Sequence, residues 1–286
     1  MKKALICLLL LLLPVTVMAA TSLWEVRSDR EVIYLGGTCH VLRPSDYPLP
    51  AEFNKAYREV QTVVFEADPG QMNTPAVQQM IMAGAVYQDG RTLSGVLSPA
   101  TYAALKAYCR KRGIPLENLQ RFKPSILAVT LLTLELQKIG VDAGGVDQHF
   151  HGRAVADGKS VDALETPGQQ VDFILNLGQG NEDAFMASSL EDMDRLGEVF
   201  DQLIAAWRAG NEANLDALTS AEVREKFPTV YREIFVDRNR AWLPAIENYL
   251  RTPQKELILV GAGHLVGDDG LLAMLRQRGY GVQQVQ

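Results

Sequence analysis

Cysteine is scarce in this chain, with three in 286 residues, at positions 7, 39 and 109. So few exclude a disulfide scaffold. An excess of basic charge is also missing. Lys and Arg number 28 against 34 Asp and Glu, a formal net charge of −6, which argues against nucleic acid or an anionic membrane surface as partner. No long apolar run follows Val17, so no membrane-spanning segment is expected beyond the N-terminus. There is no repeat of solenoid period and no low-complexity tract. His-Glu-x-x-His is absent, which removes the zincin class, and the glycine-rich stretch 261–267 lacks the Lys-Ser/Thr of a phosphate-binding loop.

What is present begins with MKKALICLLLLLLPVTVMAA. Lys2 and Lys3 form a basic start, Ala4 to Val17 an apolar segment, and Val17-Met18-Ala19 a small-residue cleavage site. Residues 1–20 are therefore expected to be a signal peptide, and the protein to be exported, periplasmic or secreted. Removing Lys2 and Lys3 leaves 26 basic and 34 acidic residues, net −8. Only Cys39 and Cys109 then remain; they are expected to stay unbridged.

Residues 21–286 read as a single α/β domain, with short β-rich runs alternating with helical periodicity. A hairpin is expected around Ser28-Asp29, helices over 49–60, 98–112, 123–136 and 146–156, and strands at 63–65 and 160–164. From 167 to about 250 the pattern is helical, broken near Gly180, Gly210 and Pro228. Strands return at 256–260 and 280–285. The fold class is a central mostly parallel or mixed sheet with covering helices and a large helical insertion over 167–250.

Four expected strands end in a group able to bind metal or move a proton: His40, Glu66, Glu165 and His264. Sites in open parallel sheets form beyond the carboxyl ends of the strands. Both histidines close a Gly-x-x-His motif, GGTCH at 36–40 and GAGH at 261–264, using half of the chain's four histidines. Gly37 and Gly261 permit a tight turn or a close backbone approach. Either motif alone is compatible with a hydrogen-bonded structural histidine; the pair, with two like-placed glutamates, points to a site. Two neutral imidazoles and a carboxylate can hold a divalent ion that acidifies bound water, and a second carboxylate can take the proton. His and carboxylate ligands serve zinc, manganese and iron alike.

The segments GGTCHVL, VVFEAD, RFKPSILAVTLL, GGVDQHFHGRAVADGKSVDALETPGQQ and VGAGHLVGDDGLLAMLRQRGYGV resemble the TraB/GumN family, which includes the Tiki proteases. The resemblance spans the chain after the signal. It implies a fold like that of Tiki proteins and erythromycin esterases, and a metal-dependent peptidase favouring manganese or cobalt, with zinc a third candidate. It also implies His40, Glu66 and His264 as metal ligands, with Asp147, Glu165 and Gln169 on other family positions. The expected function is that of an exported metal-dependent hydrolase whose partner is a peptide or protein substrate, with Glu66 and Glu165 as catalytic carboxylates. The alternatives are a non-catalytic protein that sequesters peptides and an esterase-like hydrolase.

Other residues have plainer readings. Neighbours on an extended segment face opposite ways, so Cys39 is expected in the core beside His40. His149 and His151 diverge on a helix and are expected to be partly exposed. Asp147 sits near a helix N-terminus, where it favours the dipole or contacts a site histidine. Arg153 either holds a substrate carboxylate or belongs to a solvated helix face. Trp207 and Trp242 are expected in the core of the helical insertion, which could also form a lid or partner surface.

Overall fold

The computed structural model describes residues 20–141 and 143–286. The expected export signal lies, but for Ala20, outside the described residues. The chain is α/β. Strands β1 (Leu23–Arg27), β2 (Val32–Thr38), β4 (Thr62–Phe65), β6 (Ser160–Ala163), β7 (Glu256–Gly261) and β8 (Gly281–Gln284) form one mixed sheet in the order β6-β4-β7-β2-β1-β8; β3 (Val41–Leu42) and β5 (Ala143–Gly144) form a small second ladder. β6, β4, β7 and β2 are mutually parallel, and β1 runs antiparallel to both its neighbours, β2 and β8.

Strand composition follows position in the sheet. β7 lies between β4 and β2 and is buried along its whole length, ELILVG, which is the continuous apolar run that a strand covered on both faces requires. The edge strands β6 and β8 alternate exposed with half-buried residues. Helix Pro99–Lys111 starts where the sequence signals it. Ser98 accepts a hydrogen bond from the Thr101 N–H, Pro99 fills the first turn, and Gly113 takes φ +69° just past the end.

The stretch 167–250 is a run of helices: Pro167–Asn176, Glu182–Ala209, Glu212–Thr219, Ala221–Lys226, Pro228–Tyr231 and Asp237–Tyr249, with a π-helical turn at Arg232–Val236. The sequence reading missed several short helical turns and two larger features. One is helix Pro75–Gly84; the other is the β3–β5 ladder. A correction concerns Trp207 and Trp242. Both pack into the core that contains the sheet strands. Trp207 donates from Nε1 to the Gly37 carbonyl at 2.7 Å, and Ser22 donates to the Trp207 carbonyl at the same distance. The helical block is therefore fastened to the ends of β1 and β2 by its largest side chain, because an indole N–H buried there needs an acceptor. No helix among the described residues is long and apolar enough to cross a membrane.

Candidate active site

The parallel order β6-β4-β7-β2 brings four strand ends side by side, and each carries one of the expected groups. Glu165 follows β6, Glu66 follows β4, His264 closes the short turn after β7, and His40 lies two residues past β2. The Nε2 atoms of His40 and His264 lie 3.9 and 3.8 Å from the same oxygen, Glu66 Oε1. Glycine at 261 is needed for space, not for turn geometry: its φ is −50°, and a Cβ there would stand 3.0 Å from His40 Nε2 and 3.2 Å from Glu66 Oε1. Gly37 is likewise crowded, by Leu265 and Ala262.

Each imidazole is fixed through Nδ1. His40 Nδ1–H donates to Asp147 Oδ2 at 2.9 Å, and Asp147 Oδ1 accepts from the Thr38 hydroxyl at 3.1 Å. Asp147 reaches this place because the Gly145 and Val146 N–H groups bond the His40 and Cys39 carbonyls. A Cβ on Gly145 would overlap the Cys39 carbonyl oxygen. His264 Nδ1 lies 2.8 Å from Asn239 Oδ1, and Asn239 Nδ2 donates to the carbonyls of His264 and Asp269. With the amide NH₂ so used, Asn239 Oδ1 accepts, His264 carries its proton on Nδ1, and Nε2 offers a lone pair.

The centre holds a residue that sequence reasoning missed. Arg238, from helix Asp237–Tyr249, donates to Glu66 Oε2 at 2.8 Å, to Glu165 Oε1 and Oε2 at 2.8 and 3.0 Å, to Gln170 Oε1 at 3.1 Å and to His264 Nε2 at 3.1 Å. Its guanidinium lies over the rings of Phe173 and Trp242 at 4.7 and 4.6 Å. Trp242 Nε1 also donates to Glu165 Oε1 at 3.0 Å. Glu165 thus joins the cluster as the anchor of Arg238 and Trp242, with both oxygens engaged, and not as a free proton acceptor.

Charge follows environment. Burial alone would raise the Glu66 carboxyl, but the cations around it and the Gly261 N–H, 2.6 Å from Oε1, hold it down at about 2. Burial lowers the His264 imidazole to about 3, against the pull of Glu66. For His40, desolvation works downward and is outweighed by Asp147 and Glu66, which hold the ring at about 9. Burial, with Asp147 and Asp46, pushes the Cys39 thiol up to about 12, so this core cysteine is no nucleophile.

Two expected site residues belong elsewhere. Gln169 forms a capping box with Thr166 at the start of helix Pro167–Asn176, and its neighbour Gln170 faces Arg238. Arg153 bonds Asn54 Oδ1 and stacks over Tyr57, because the 146–157 helix turns that face toward helix Ala51–Glu59. His149 packs on Tyr47 and Phe150, whereas His151 lies 3.2 Å from Asp68. Cys39 and Cys109 are free and sit in separate clusters.

A cavity of about 200 Å³ opens over His40 and Glu66, lined also by Pro69, Met72, Asp147, Gln148, Gln170 and Ile174. Among the described residues, no three His, Cys, Asp or Glu side chains stand close enough to share one ion as they are placed. The donor set nonetheless suits a divalent cation: two Nε2 atoms stand about the same ionised carboxylate oxygen, each ring is held at Nδ1 by an oxygen, and the absence of a side chain at Gly261 leaves room for them to meet there. The fold and cluster define an α/β protein with an imidazole–carboxylate centre at the carboxyl ends of its parallel strands. The chain belongs to the TraB/PrgY/gumN family, whose model matches residues 22–284. No curated protein and no solved structure matches it.

Proposed function

We propose that this is an exported, metal-dependent hydrolase acting on peptide bonds, with His40, Glu66 and His264 as ligands of a divalent ion such as manganese, cobalt or zinc. One observation carries the reading: two imidazoles from twin Gly-x-x-His motifs stand with Nε2 3.9 and 3.8 Å from the same Glu66 oxygen, each fixed at Nδ1 by a neighbour's oxygen. The basic start, apolar segment and small residues of the first twenty positions support export. An ion held there would acidify bound water and polarise a carbonyl oxygen. The chain's own groups do the rest. Asn239 keeps the His264 Nε2 unprotonated, Asp147 orients the His40 ring, whose Nε2 proton an ion would displace, Glu66 supplies negative charge, and Glu165 holds Arg238. The amides of Gln148 and Gln170 line the cavity, where they can bond a peptide backbone. The test is cleavage of a mixed peptide library by purified protein, stripped with chelator and reloaded with each ion. Cleavage should vanish on stripping, return with one of the ions, and be absent from His40→Ala. Cleavage indifferent to chelator sinks the metal reading.

A second reading has its own support. Arg238 already places positive charge between Glu66 and Glu165, and Thr38, Asp147 and His40 form a chain that, once the ring has lost its own Nε2 proton near pH 9, could take one there from water. An esterase-like hydrolase working without metal would use that arrangement. Ester cleavage that survives chelation and is lost in Asp147→Ala would mark it.

A further inference from the structure

We infer that Arg238 is an exchangeable internal cation, which holds Glu66 and His264 until a divalent ion takes them and then withdraws onto Glu165 and Gln170. This inference rests on the ligand set proposed above. Glu66 and Glu165 have side chains only 7% and 10% exposed. Two carboxylates so buried need a cation beside them, since an unpaired buried charge is strongly destabilising. Arg238 supplies it, and so the cluster can fold before any ion arrives.

The same contact blocks the site. The single lone pair of His264 Nε2 accepts from Arg238 Nη1 at 3.1 Å and points nowhere else. It cannot serve that N–H and an ion together. Nor can a guanidinium give way by losing its proton, as a lysine could. It has to move.

The contacts of Arg238 divide into two sets. Glu66 and His264 are the ones an ion would claim. Glu165, through both oxygens, and Gln170, through Oε1, are not among the ion's proposed ligands and remain to hold the guanidinium. Phe173 and Trp242 line its faces and stay with it as it shifts. The backbone offers give at the right place. Arg238 lies two residues past the π-helical turn Arg232–Val236, a wide turn that interrupts the regular ladder and recurs at functional sites. Phe235 on that turn lies 5.2 Å from the His264 ring, ring centre to ring centre, so the turn touches the group that must change partner.

The test is zinc titration of the chelator-stripped chain, chosen because zinc does not quench fluorescence. Calorimetry would compare wild type, Arg238→Gln and Arg238→Lys, alongside melting temperatures with and without zinc. Arg238→Gln should bind zinc at least ten-fold more tightly than wild type and gain more melting temperature from it. Arg238→Lys should lie between them. Because Arg238→Gln could fail to fold, the wild type gives a second readout. Zinc should change tryptophan emission as the guanidinium shifts against Trp242, and the change should disappear in Trp242→Phe. Zinc binding with equal or weaker affinity in Arg238→Gln overturns the exchange and leaves the ion site standing, as does binding to wild type without any change in emission. Zinc binding to none of these proteins removes the ion site and the exchange with it.

Discussion

The two Gly-x-x-His motifs place like imidazoles in unlike surroundings. His40 stands at the rim, its side chain 61% exposed, with a carboxylate on Nδ1; His264 is buried, its side chain 6% exposed, with an amide oxygen on Nδ1. Asp147 and Glu66 raise the first ring toward the charged form, and burial holds the second neutral. The strand end aims the ring; the partner at Nδ1 and the depth of burial set its charge. One cluster thereby contains an unprotonated Nε2 at His264, held by Arg238, and at His40 a proton that any ion must displace.

Breaking the partners should expose this asymmetry most strongly at His264. Asn239→Leu leaves the buried His264 Nδ1–H and His264 carbonyl, and the half-buried Asp269 carbonyl, without their partner. It should cost roughly 3–5 kcal/mol of stability by denaturant unfolding. Asp147→Ala should cost about 1 kcal/mol, since water can reach the exposed ring. Equal losses in the two variants would mean that the motifs are structurally equivalent and the contrast is wrong.

Acid sharpens the comparison. An unfolded histidine takes a proton near pH 6.5, whereas His264 in the fold refuses it until about 3. Unfolded chains then bind more protons than folded ones, so stability falls as pH drops from 6.5, by several kcal/mol in all. Glu66, held at about 2, adds loss only below its ordinary value of 4.5. The window from pH 6.5 to 4.5 therefore belongs to His264 within this cluster, and His264→Gln should flatten it in a melting-temperature series. An unchanged slope in that variant would remove the buried neutral imidazole from the account.

Alkali acts on the other ring with a smaller effect. His40 is raised to about 9, so its contribution is complete below 6.5 and lost as pH rises through 9. Its exposure screens that contribution. Asp147→Asn replaces the carboxylate by an amide, as at His264. The His40 titration followed by NMR should then move to lower pH, with little change in melting temperature. A titration that stays in place would show that Asp147 does not set the charge of the ring.

The same contrast marks what the sequence could and could not disclose. His40, Glu66, Glu165 and His264 were legible because each follows a β-rich run, and parallel strands bring such ends together whatever lies between them. The hairpin around Ser28 and the helix opened by Ser98-Pro99 were legible from local turn and cap chemistry. Arg238, Asn239 and Gln170 were not, since they come from the helical block, and periodicity does not say which helix covers the strand ends. One signal was available. Asn239 interrupts an apolar stripe of Phe235, Trp242 and Ile246 at helical spacing, and all four are buried; a polar residue inside such a stripe needs a partner. The family position points to Gln169, but the capping box at Thr166 claims that side chain, and Gln170 is the one that faces the site.

The central claim is that His40, Glu66 and His264 hold one ion between them. Its most direct test is the metal content of protein purified without chelator, for wild type, His40→Ala and Glu66→Ala, each checked for a folded circular-dichroism spectrum. The account predicts one divalent ion per wild-type chain and its loss from both folded variants. A metal-free wild type, or variants that keep the full ion content, would contradict it.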